Sequence, residues 1–298
     1  MTNPAGPQAC RIGSRTFSWG ERTLVMGIVN ITPDSFSGDG LATDDKVVER
    51  AVAQGLAFVD EGADILDVGG ESTRPGARPL DKSGEIARVL PVIEALRRQT
   101  DAPISIEPYK AGVARAALDA GADMVNDVWG LQMDPDMAPL VAERGVPLVI
   151  MHNRSRPKDA AQEARLGGRY VGVQYDDLLA DVCRELSAQV EMAERAGIAR
   201  DKIIVDPGIG FGKTVEQNLA LINRLDTLRA LGLPILLGPS RKSFIGYTLD
   251  VPPHQRVEGT AAAVCVGIVR GAADIIRVHD VRVMSRVARM TDAILRAG

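Results

Sequence analysis

The most telling segment of the chain is Leu66-Asp67-Val68-Gly69-Gly70-Glu71-Ser72-Thr73-Arg74-Pro75-Gly76, an apolar run that ends on a carboxylate, two glycines and a turn with an arginine. Two further apolar runs end in the same way, at Val205-Asp206-Pro207-Gly208 and at Ile276-Arg277-Val278-His279-Asp280. In a parallel α/β fold the carboxyl ends of the strands lie on one face, and that face binds and transforms small molecules. The three runs therefore predict a parallel α/β protein whose site lies at this face.

Apolar runs and amphipathic segments alternate eight times along the chain. The predicted strands are 24–30, 65–69, 104–107, 124–128, 148–152, 203–206, 235–238 and 275–279. The predicted helices are 44–61, 84–99, 111–120, 135–144, 174–196, 214–230, 256–271 and 281–297. Eight repeats favour a closed (β/α)8 TIM barrel, formed by residues 1–298 as a single domain, over the alternative of a doubly wound sheet.

Two segments stand apart from the strand–helix alternation. Residues 9–22 alternate roughly between polar and apolar side chains around Gly13-Ser14, which favours a β-hairpin. Because the amino end of a barrel exposes apolar side chains, we expect this N-terminal hairpin to plug it. The polar segment 153–173 follows the fifth predicted strand and is the longest predicted loop. Long loops on the active face tend to be functional.

Composition narrows the class of protein. The 298 residues (31.8 kDa) fit one barrel or two smaller domains, and the net charge of −4 gives no reason to expect nucleic acid or an acidic membrane as a partner. The three cysteines, Cys10, Cys183 and Cys265, lack a paired metal spacing and fit reduced thiols in a cytoplasmic protein. Residues 1–8 show no signal-peptide pattern, and no apolar run reaches the roughly 18 residues of a membrane span.

A glycine-rich segment, Gly208-Ile209-Gly210-Phe211-Gly212-Lys213-Thr214, looks at first like a nucleotide-binding loop. It fails the P-loop pattern because Pro207 stands where the first glycine is required. It fails the dinucleotide pattern because Lys213 replaces the third glycine. We therefore expect neither ATP nor NAD, and expect the glycines to let the backbone approach a flat ligand or another loop.

Three other strand ends carry polar groups, each with a structural alternative. Residues 30–37 are polar with one aromatic side chain, or else form a helix-capping loop. Residues 238–243 contain two cations and two hydroxyls that suit an anion or a planar ligand, or else form a solvated turn. Arg277 and His279 point to the same side of their strand, which is inward in a barrel. Because unpaired buried charge is costly, they predict either a bound phosphate-like anion or a structural salt bridge.

Six motifs occur in order from about residue 24 to residue 295: 26–37, 67–76, Asn126-Asp127, 206–213, 240–243 and 277–280. Together they resemble the dihydropteroate synthase family. The resemblance implies a pterin-binding (β/α)8 barrel that is usually a homodimer. It also implies a transferase of folate biosynthesis, which joins 6-hydroxymethyl-7,8-dihydropterin diphosphate to p-aminobenzoate. In that family Mg²⁺ assists departure of the diphosphate, and the aromatic amine attacks the resulting pterin-methylene cation.

The resemblance also implies roles for single residues. The residues that would bind the pterin are Glu107, Asn126, Asp206, Lys242 and Arg277. Those that would act in catalysis are Asp67, Asn126, Asp206 and Lys242. The diphosphate would be held by Asn30, Arg277 and His279, with Asn30 also a metal ligand. The p-aminobenzoate region, where sulfonamides compete, would contain Phe36, Thr73, Arg74, Pro75, Phe211 and Ser243.

The sequence departs from the family pattern at two places. Glu107-Pro108 stands where the family has Asp-Thr, and glutamate extends roughly 1.5 Å further than aspartate. Catalytic placement tolerates errors of only about 0.5 Å, and Pro108 removes a backbone donor and the threonine hydroxyl. The second departure is Met151-His152-Asn153-Arg154-Ser155-Arg156-Pro157, where polar and cationic groups replace an apolar cover.

These departures lead to our expectation for function. We expect a dihydropteroate synthase-like protein with an altered pterin pocket, an inactive paralogue with weak or no synthase activity that keeps p-aminobenzoate and sulfonamide binding. The alternative is an active dihydropteroate synthase. A third hypothesis is a related barrel that transfers a methyl group. Arg277, His279 and residues 240–243 disfavour it, because methyl transfer leaves no diphosphate to hold.

Overall fold

The computed structural model describes residues 7–31, 44–72 and 80–297 of the chain. Its strands are β1 (Cys10–Ile12), β2 (Arg15–Phe17), β3 (Leu24–Asn30), β4 (Ile65–Gly69), β5 (Ile104–Ile106), β6 (Met124–Asp127), β7 (Leu148–Met151), β8 (Ala160–Ala161), β9 (Arg169–Tyr170), β10 (Ile203–Asp206), β11 (Leu236–Leu237) and β12 (Ile275–Val278). Its α-helices are α1 (Asp44–Asp60), α2 (Lys82–Arg97), α3 (Ala111–Asp119), α4 (Met137–Arg144), α5 (Leu178–Arg195), α6 (Val215–Asn223), α7 (Ser243–Leu249), α8 (Val257–Val269) and α9 (Val281–Arg296). Short 3-10 turns cover Pro157–Asp159, Arg200–Lys202, Leu225–Leu231 and Pro253–Gln255.

Eight of the strands form one parallel sheet in the order β10-β7-β6-β5-β4-β3-β12-β11. A parallel bridge between Val205 and Ile235 joins β10 to the residue that precedes β11, so the sheet is a nearly closed barrel. The expected (β/α)8 fold is confirmed, and the doubly wound alternative is wrong. The helix expected over 214–230 is divided into α6 and the 3-10 turn Leu225–Leu231. Within the described residues, none of the helices is both long and apolar enough to span a lipid bilayer.

The inner face of the barrel is apolar at its amino end and polar at its carboxyl end. Strand residues two apart point to the same side. On β4, Ile65 packs in the apolar cluster at the amino end, Leu66 packs outward against the helices, and Asp67 lies on the same side as Ile65. The same step of two residues gives Met124 and Asn126 on β6, Ile204 and Asp206 on β10, and Ile275 and Arg277 on β12. Strand alternation therefore delivers the polar residues to the barrel mouth.

The amino end of the barrel is closed by an antiparallel hairpin of β1 and β2, in which Cys10 pairs with Phe17 and Ile12 with Arg15. Cys10, Ile12 and Phe17 are buried against the apolar inner side chains of the barrel strands. The expectation of an N-terminal hairpin plug is confirmed.

The segment 153–173 contains more structure than the loop expected from the sequence, since β8 and β9 pair there as a small antiparallel hairpin. The buried guanidinium of Arg256 attaches this segment to the rest of the mouth. It donates from Nη2 to the carbonyl of Leu166 at 2.8 Å and from Nη1 to the carbonyl of Arg241 at 3.0 Å. The long segment is therefore fastened to the residues that follow β11.

We expect two substitutions in the hairpin plug to differ in how much they lower the free energy of unfolding. Ile12→Ala removes a fully buried side chain and leaves a cavity at the barrel's amino end, so we expect a loss of about 2–4 kcal/mol in the free energy of unfolding. Thr16→Ala changes an exposed position of the same hairpin and should cost less than about 0.5 kcal/mol. Urea denaturation measures both, and equal losses would show that the hairpin is not packed as described.

Candidate active site

Four polar side chains, three on barrel strands and one directly after β5, meet in the mouth and share hydrogen bonds. Arg277 donates from Nε to Asp67 Oδ2 and from Nη2 to Glu107 Oε2, both at 2.6 Å. Asn126 donates from Nδ2 to Asp67 Oδ2 at 3.0 Å. Asp67 and Asn126 are buried, and the Glu107 side chain is 8% exposed. We call these four residues the arginine cluster.

The charges of the arginine cluster depend on one another. Burial raises the pKa of Glu107 to about 7; the Arg277 guanidinium opposes this shift, and the Asp67 carboxylate adds to it. Burial disfavours the charge of Arg277, but the carboxylates of Glu107 and Asp67 outweigh it and raise the pKa of Arg277. Asp67 Oδ1 is buried and accepts no hydrogen bond from the described residues. Because an unsatisfied buried acceptor is costly, a ligand N–H would fit at this atom.

A second carboxylate and ammonium face the same mouth. Asp206 Oδ1 accepts a hydrogen bond from the backbone N–H of Gly208 at 2.7 Å. Lys242 Nζ donates to the carbonyl of Ile209 and lies 4.6 Å from the centre of the Phe211 ring. Burial lowers the pKa of Lys242 to about 8 and raises that of Asp206, and each group's charge opposes the other's shift. The pair offers a ligand a carboxylate, a cation and an aromatic face.

The residues expected to hold a diphosphate lie on or directly after the paired strands β3 and β12. Asn30 Oδ1 lies 3.4 Å from the point where a Cβ would stand on Gly69, so the missing side chain leaves room in front of the amide. His279 Nδ1 and Ser240 Oγ are 2.9 Å apart, and Ser240 Oγ also accepts the backbone N–H of His279 at 3.1 Å. Arg277 is ion-paired within the arginine cluster, so the salt bridge considered from the sequence is present.

The turn between β11 and α7 passes through a left-handed residue, Arg241, with φ of 54°. Three groups hold it there. Its N–H donates to Thr260 Oγ1 at 3.0 Å, its Nε donates to Asp280 Oδ2 at 2.8 Å, and its carbonyl accepts from Arg256. A non-glycine residue in this conformation is strained and needs such support. The strained residue separates the two site residues on either side of it, Ser240 and Lys242.

The residues expected around p-aminobenzoate are only partly visible. Phe36, Thr73, Arg74 and Pro75 lie outside the described residues. Phe211 is half-buried beside Lys242, and Ser243 is the first residue of α7, directly after Lys242. The structure therefore brings Phe211, Lys242 and Ser243 into one part of the mouth.

The glycine-rich segment approaches another loop, one of the two options left open by the sequence. A Cβ on Gly208 would stand 1.8 Å from the carbonyl oxygen of His152, and one on Gly212 would stand 2.3 Å from the carbonyl carbon of Arg154. Both glycines have positive φ, so a side chain is excluded by contact and by conformation. The loop after β10 therefore lies directly on the backbone that follows β7.

A hydrogen-bonded network that was not predicted from the sequence lies beside this loop. Lys213, His152, Glu185 and Arg154 bond to one another in that order. Burial and the nearby Lys213 charge lower the pKa of His152 to about 4. The sequence contained one signal, a lysine directly after three alternating glycines, but gave no hint of its partners, which lie directly after β7 and on α5.

A family model described as pterin binding enzyme matches residues 26–279. The dihydropteroate synthase of Clostridium beijerinckii is 46% identical over 286 residues, covering 96% of this chain and 99% of that protein. The dihydropteroate synthase of Bacillus subtilis is 47% identical over 281 residues, covering 94% and 92%.

Solved structures agree with these relatives. A dihydropteroate synthase from Clostridium difficile, crystallised in the presence of pteroic acid, superposes with a TM-score of 0.85 at 46% identity, covering 94% of this chain and 99% of that chain. A Xanthomonas albilineans dihydropteroate synthase with 4-aminobenzoic acid superposes with a TM-score of 0.86 at 42% identity, covering 97% and 98%.

These relatives correct our expectation about activity. We expected Glu107-Pro108 to leave weak or no synthase activity, but relatives 45–47% identical over nearly the whole chain are dihydropteroate synthases. The expectation was wrong, and the findings favour its alternative, an active synthase. The Glu107 side chain is held within the mouth despite its length. Its backbone N–H still bonds to the Val68 carbonyl at 2.9 Å, and its carboxylate is held by Arg277.

The buried histidine predicts a pH-dependent stability. The pKa of His152 is about 4 in the folded protein and 6.5 in the unfolded chain, so between these values the unfolded chain binds more protons. Neutral His152 therefore contributes stability that is complete above pH 6.5 and is lost as the pH falls towards 4. The destabilisation caused by His152→Gln should shrink over that range by up to about 3 kcal/mol.

Thermal and urea unfolding of both proteins at several pH values measures this difference. His254→Gln, at an exposed position, is the control and should show no such change. A destabilisation by His152→Gln that stays constant from pH 6.5 to 4 would show that His152 is not held neutral.

Proposed function

The chain belongs to the dihydropteroate synthase family, and we propose that it is an active synthase that joins 6-hydroxymethyl-7,8-dihydropterin diphosphate to p-aminobenzoate. We place this activity in a single barrel domain over residues 1–298. The observation that carries the proposal is the arginine cluster, in which Asp67 Oδ1 has no hydrogen-bond partner among the described residues, together with Asp206 and Lys242 in the same mouth. These buried hydrogen-bond donors and acceptors suit a flat heterocycle that itself carries both hydrogen-bond donors and acceptors.

The pterin would lie between these two groups. Its guanidine-like edge would donate paired hydrogen bonds to the Asp206 carboxylate, as charged acceptors favour. Asn126 and Lys242 would bond to other ring atoms, and a ring N–H would satisfy Asp67 Oδ1. Support comes from the burial of Asp206, Asn126 and Asp67, which are 5%, 3% and 0% exposed. Glu107 would border the same pocket through its contact with Arg277.

The diphosphate would lie towards β3 and β12, near Asn30, Arg277 and His279. In the described residues Arg277 uses Nε and Nη2 for its two carboxylates, which leaves Nη1 for a phosphate oxygen. Mg²⁺ is held in proteins by one or two side-chain oxygens together with substrate phosphates, and Asn30 Oδ1 is a donor of that kind. The ion would neutralise charge that develops on the leaving diphosphate.

The chain's own charges suit the bond changes. The bond between the pterin methylene carbon and the diphosphate oxygen breaks, and its electron pair leaves with the diphosphate. The carboxylates of Asp67 and Asp206 would stabilise the positive charge left on the pterin. The amine nitrogen of p-aminobenzoate, placed between Phe211 and Ser243, would then attack the methylene carbon and release a proton. Arg277 and Lys242 would favour departure of the anion.

We also infer that the protein forms a homodimer through an apolar face on its last two helices. The face consists of Val266 and Val269 on α8 and Val283, Met290 and Ile294 on α9, which are 39–62% exposed. The two helices touch where Cys265 Sγ lies 3.4 Å from Thr291 Oγ1, so their exposed apolar side chains lie on adjoining surfaces. Such a patch marks an interface, and a second copy of the chain would cover it symmetrically.

A cytoplasmic location fits the state of the cysteines. Cys10, Cys183 and Cys265 are all free, as expected in a reducing compartment.

The proposed activity predicts turnover by the purified chain. With Mg²⁺, the pterin diphosphate and p-aminobenzoate, we expect formation of 7,8-dihydropteroate, measured by liquid chromatography, and competition by a sulfonamide. Arg277→Gln should lower kcat/KM by about a hundredfold or more, because it removes a cation that would face the leaving group. Arg282→Gln, at an exposed arginine paired with Glu61, should change it little. Absence of product from the unmodified chain would refute the proposal.

The proposed dimer interface predicts that a double substitution within it lowers the molecular mass in solution. Met290→Glu combined with Ile294→Glu places two carboxylates in the apolar face and should yield a monomer by light scattering coupled to size-exclusion chromatography. Met192→Glu changes an exposed methionine on α5 and should leave the dimer intact. A monomeric unmodified chain, or a dimer that survives the double change, would contradict this interface.

A further inference from the structure

Lys213 is a fully enclosed lysine beside the loop after β10. It is 2% exposed, and its Nζ lies 2.9 Å from His152 Nδ1, 3.0 Å from the carbonyl oxygen of Gly208 and 3.0 Å from that of Phe211. An ammonium has three N–H groups, so each of the three acceptors receives one. The side chain therefore joins the loop after β10 to the end of β7.

The histidine is set to accept this hydrogen bond. His152 Nε2 lies 3.0 Å from Glu185 Oε2, and an ionised carboxylate can only accept, so Nε2 carries the ring proton and Nδ1 keeps a lone pair. Arg154 donates from Nε to both oxygens of Glu185, at 3.1 and 3.0 Å. Burial raises the pKa of Glu185, but the hydrogen bonds from His152 and Arg154 outweigh it and lower that pKa to about 2. The carboxylate is thus ionised and fixes the histidine tautomer.

The pKa of Lys213 depends on its burial and on the charged side chains nearby. Burial lowers the pKa of Lys213 to about 7, while the Asp206 carboxylate opposes the shift and the Lys242 ammonium adds to it. Removing an ammonium from water is costly, and the three acceptors around Lys213 Nζ offset that cost. The position of the Lys213 ammonium is more informative, because it bonds to carbonyls on both sides of Gly210 in the loop.

The loop is held from two sides by two ammonium groups. Lys213 bonds to the carbonyls of Gly208 and Phe211 from behind, and Lys242 bonds to the carbonyl of Ile209 from the mouth. Gly210 N–H also donates to Asn218 Oδ1 at 2.6 Å. With its backbone fixed at these points, the loop carries the Phe211 ring to a set place beside Lys242.

We propose that Lys213 is a positioning residue of the synthase reaction: by holding the Phe211 carbonyl against His152, it sets the Phe211 ring that faces p-aminobenzoate and touches neither substrate itself. This inference rests on the proposed function for its kinetic consequence. The Lys213–His152 contact and the position of the Phe211 ring do not depend on the proposed function.

The kinetic test compares Lys213→Met with Lys46→Met. Methionine keeps an unbranched side chain but removes all three donors, whereas Lys46 is exposed on α1. For Lys213→Met we expect KM for p-aminobenzoate to rise about tenfold or more, because the Phe211 ring that would face this substrate is no longer held in place; a tenfold change corresponds to about 1.4 kcal/mol. KM for the pterin diphosphate and kcat should change by less than about threefold. An equal rise in both KM values, or no rise, would overturn the proposal.

Two spectroscopic readouts separate this inference from the proposed activity. The chain has three histidines and five phenylalanines, so labelled histidine and fluorophenylalanine give few resonances. In the unmodified protein His152 should remain the neutral Nε2–H tautomer between about pH 5 and 9. This measurement needs no variant, and an Nδ1–H tautomer would overturn the proposal even if Lys213→Met fails to fold.

In a folded Lys213→Met protein the fluorine resonance of Phe211, identified with Phe211→Leu, should shift while that of Phe17 in the plug stays in place. The His152 pKa should rise, because the neighbouring positive charge is gone. An unshifted Phe211 resonance would overturn the positioning role. If the unmodified chain makes no dihydropteroate, the proposed function fails, and these two measurements still decide the role of Lys213.

Discussion

The barrel mouth depends on one guanidinium that serves two buried carboxylates. The carboxylates of Asp67 and Glu107 would repel each other if they faced each other alone, and a cation that reaches both offsets that repulsion. Arginine is suited to this because its planar group donates from separate nitrogens in fixed directions. Arg277 uses Nε for one carboxylate and Nη2 for the other. A lysine would present a single ammonium to the same two groups.

A buried ion pair of this kind is weak evidence for stability, because desolvation offsets much of the attraction. The folded state must therefore gain its stability elsewhere, and the barrel separates the two tasks by a step of two residues on each strand. Ile65 and Ile275 close the apolar amino end with the hairpin, while Asp67 and Arg277 lie two residues further, at the mouth. The charged mouth can therefore cost stability, because two apolar layers stabilise the fold: the layer beneath the mouth and the layer between the strands and the helices.

The same step of two residues on each strand explains which features could be predicted from the sequence. Strand ends, the hairpin, Asp67 at the mouth and the inward placement of Arg277 follow from alternation and from the charges that end the apolar runs, whereas Asn126 was identified through the family resemblance. The contacts of Lys213 and Arg256 did not follow, because their partners are distant in the chain. Lys213 meets a histidine 61 residues away, and Arg256 meets a carbonyl 90 residues away. No local pattern encodes such pairs, and both fasten loops to one another rather than to a strand.

Side-chain length alone was equally uninformative at Glu107. A glutamate in place of an aspartate was judged by the length of its own side chain, yet the position of a carboxylate is decided by the groups that receive it. Glu107 Oε2 lies 2.6 Å from Arg277 Nη2 and 3.0 Å from the point where a Cβ would stand on Gly69. The neighbouring strand β4 thus leaves space for the longer side chain, and the guanidinium fixes its end. An added methylene is harmful only where the surrounding atoms leave it no room, and here a glycine on the adjacent strand provides that room.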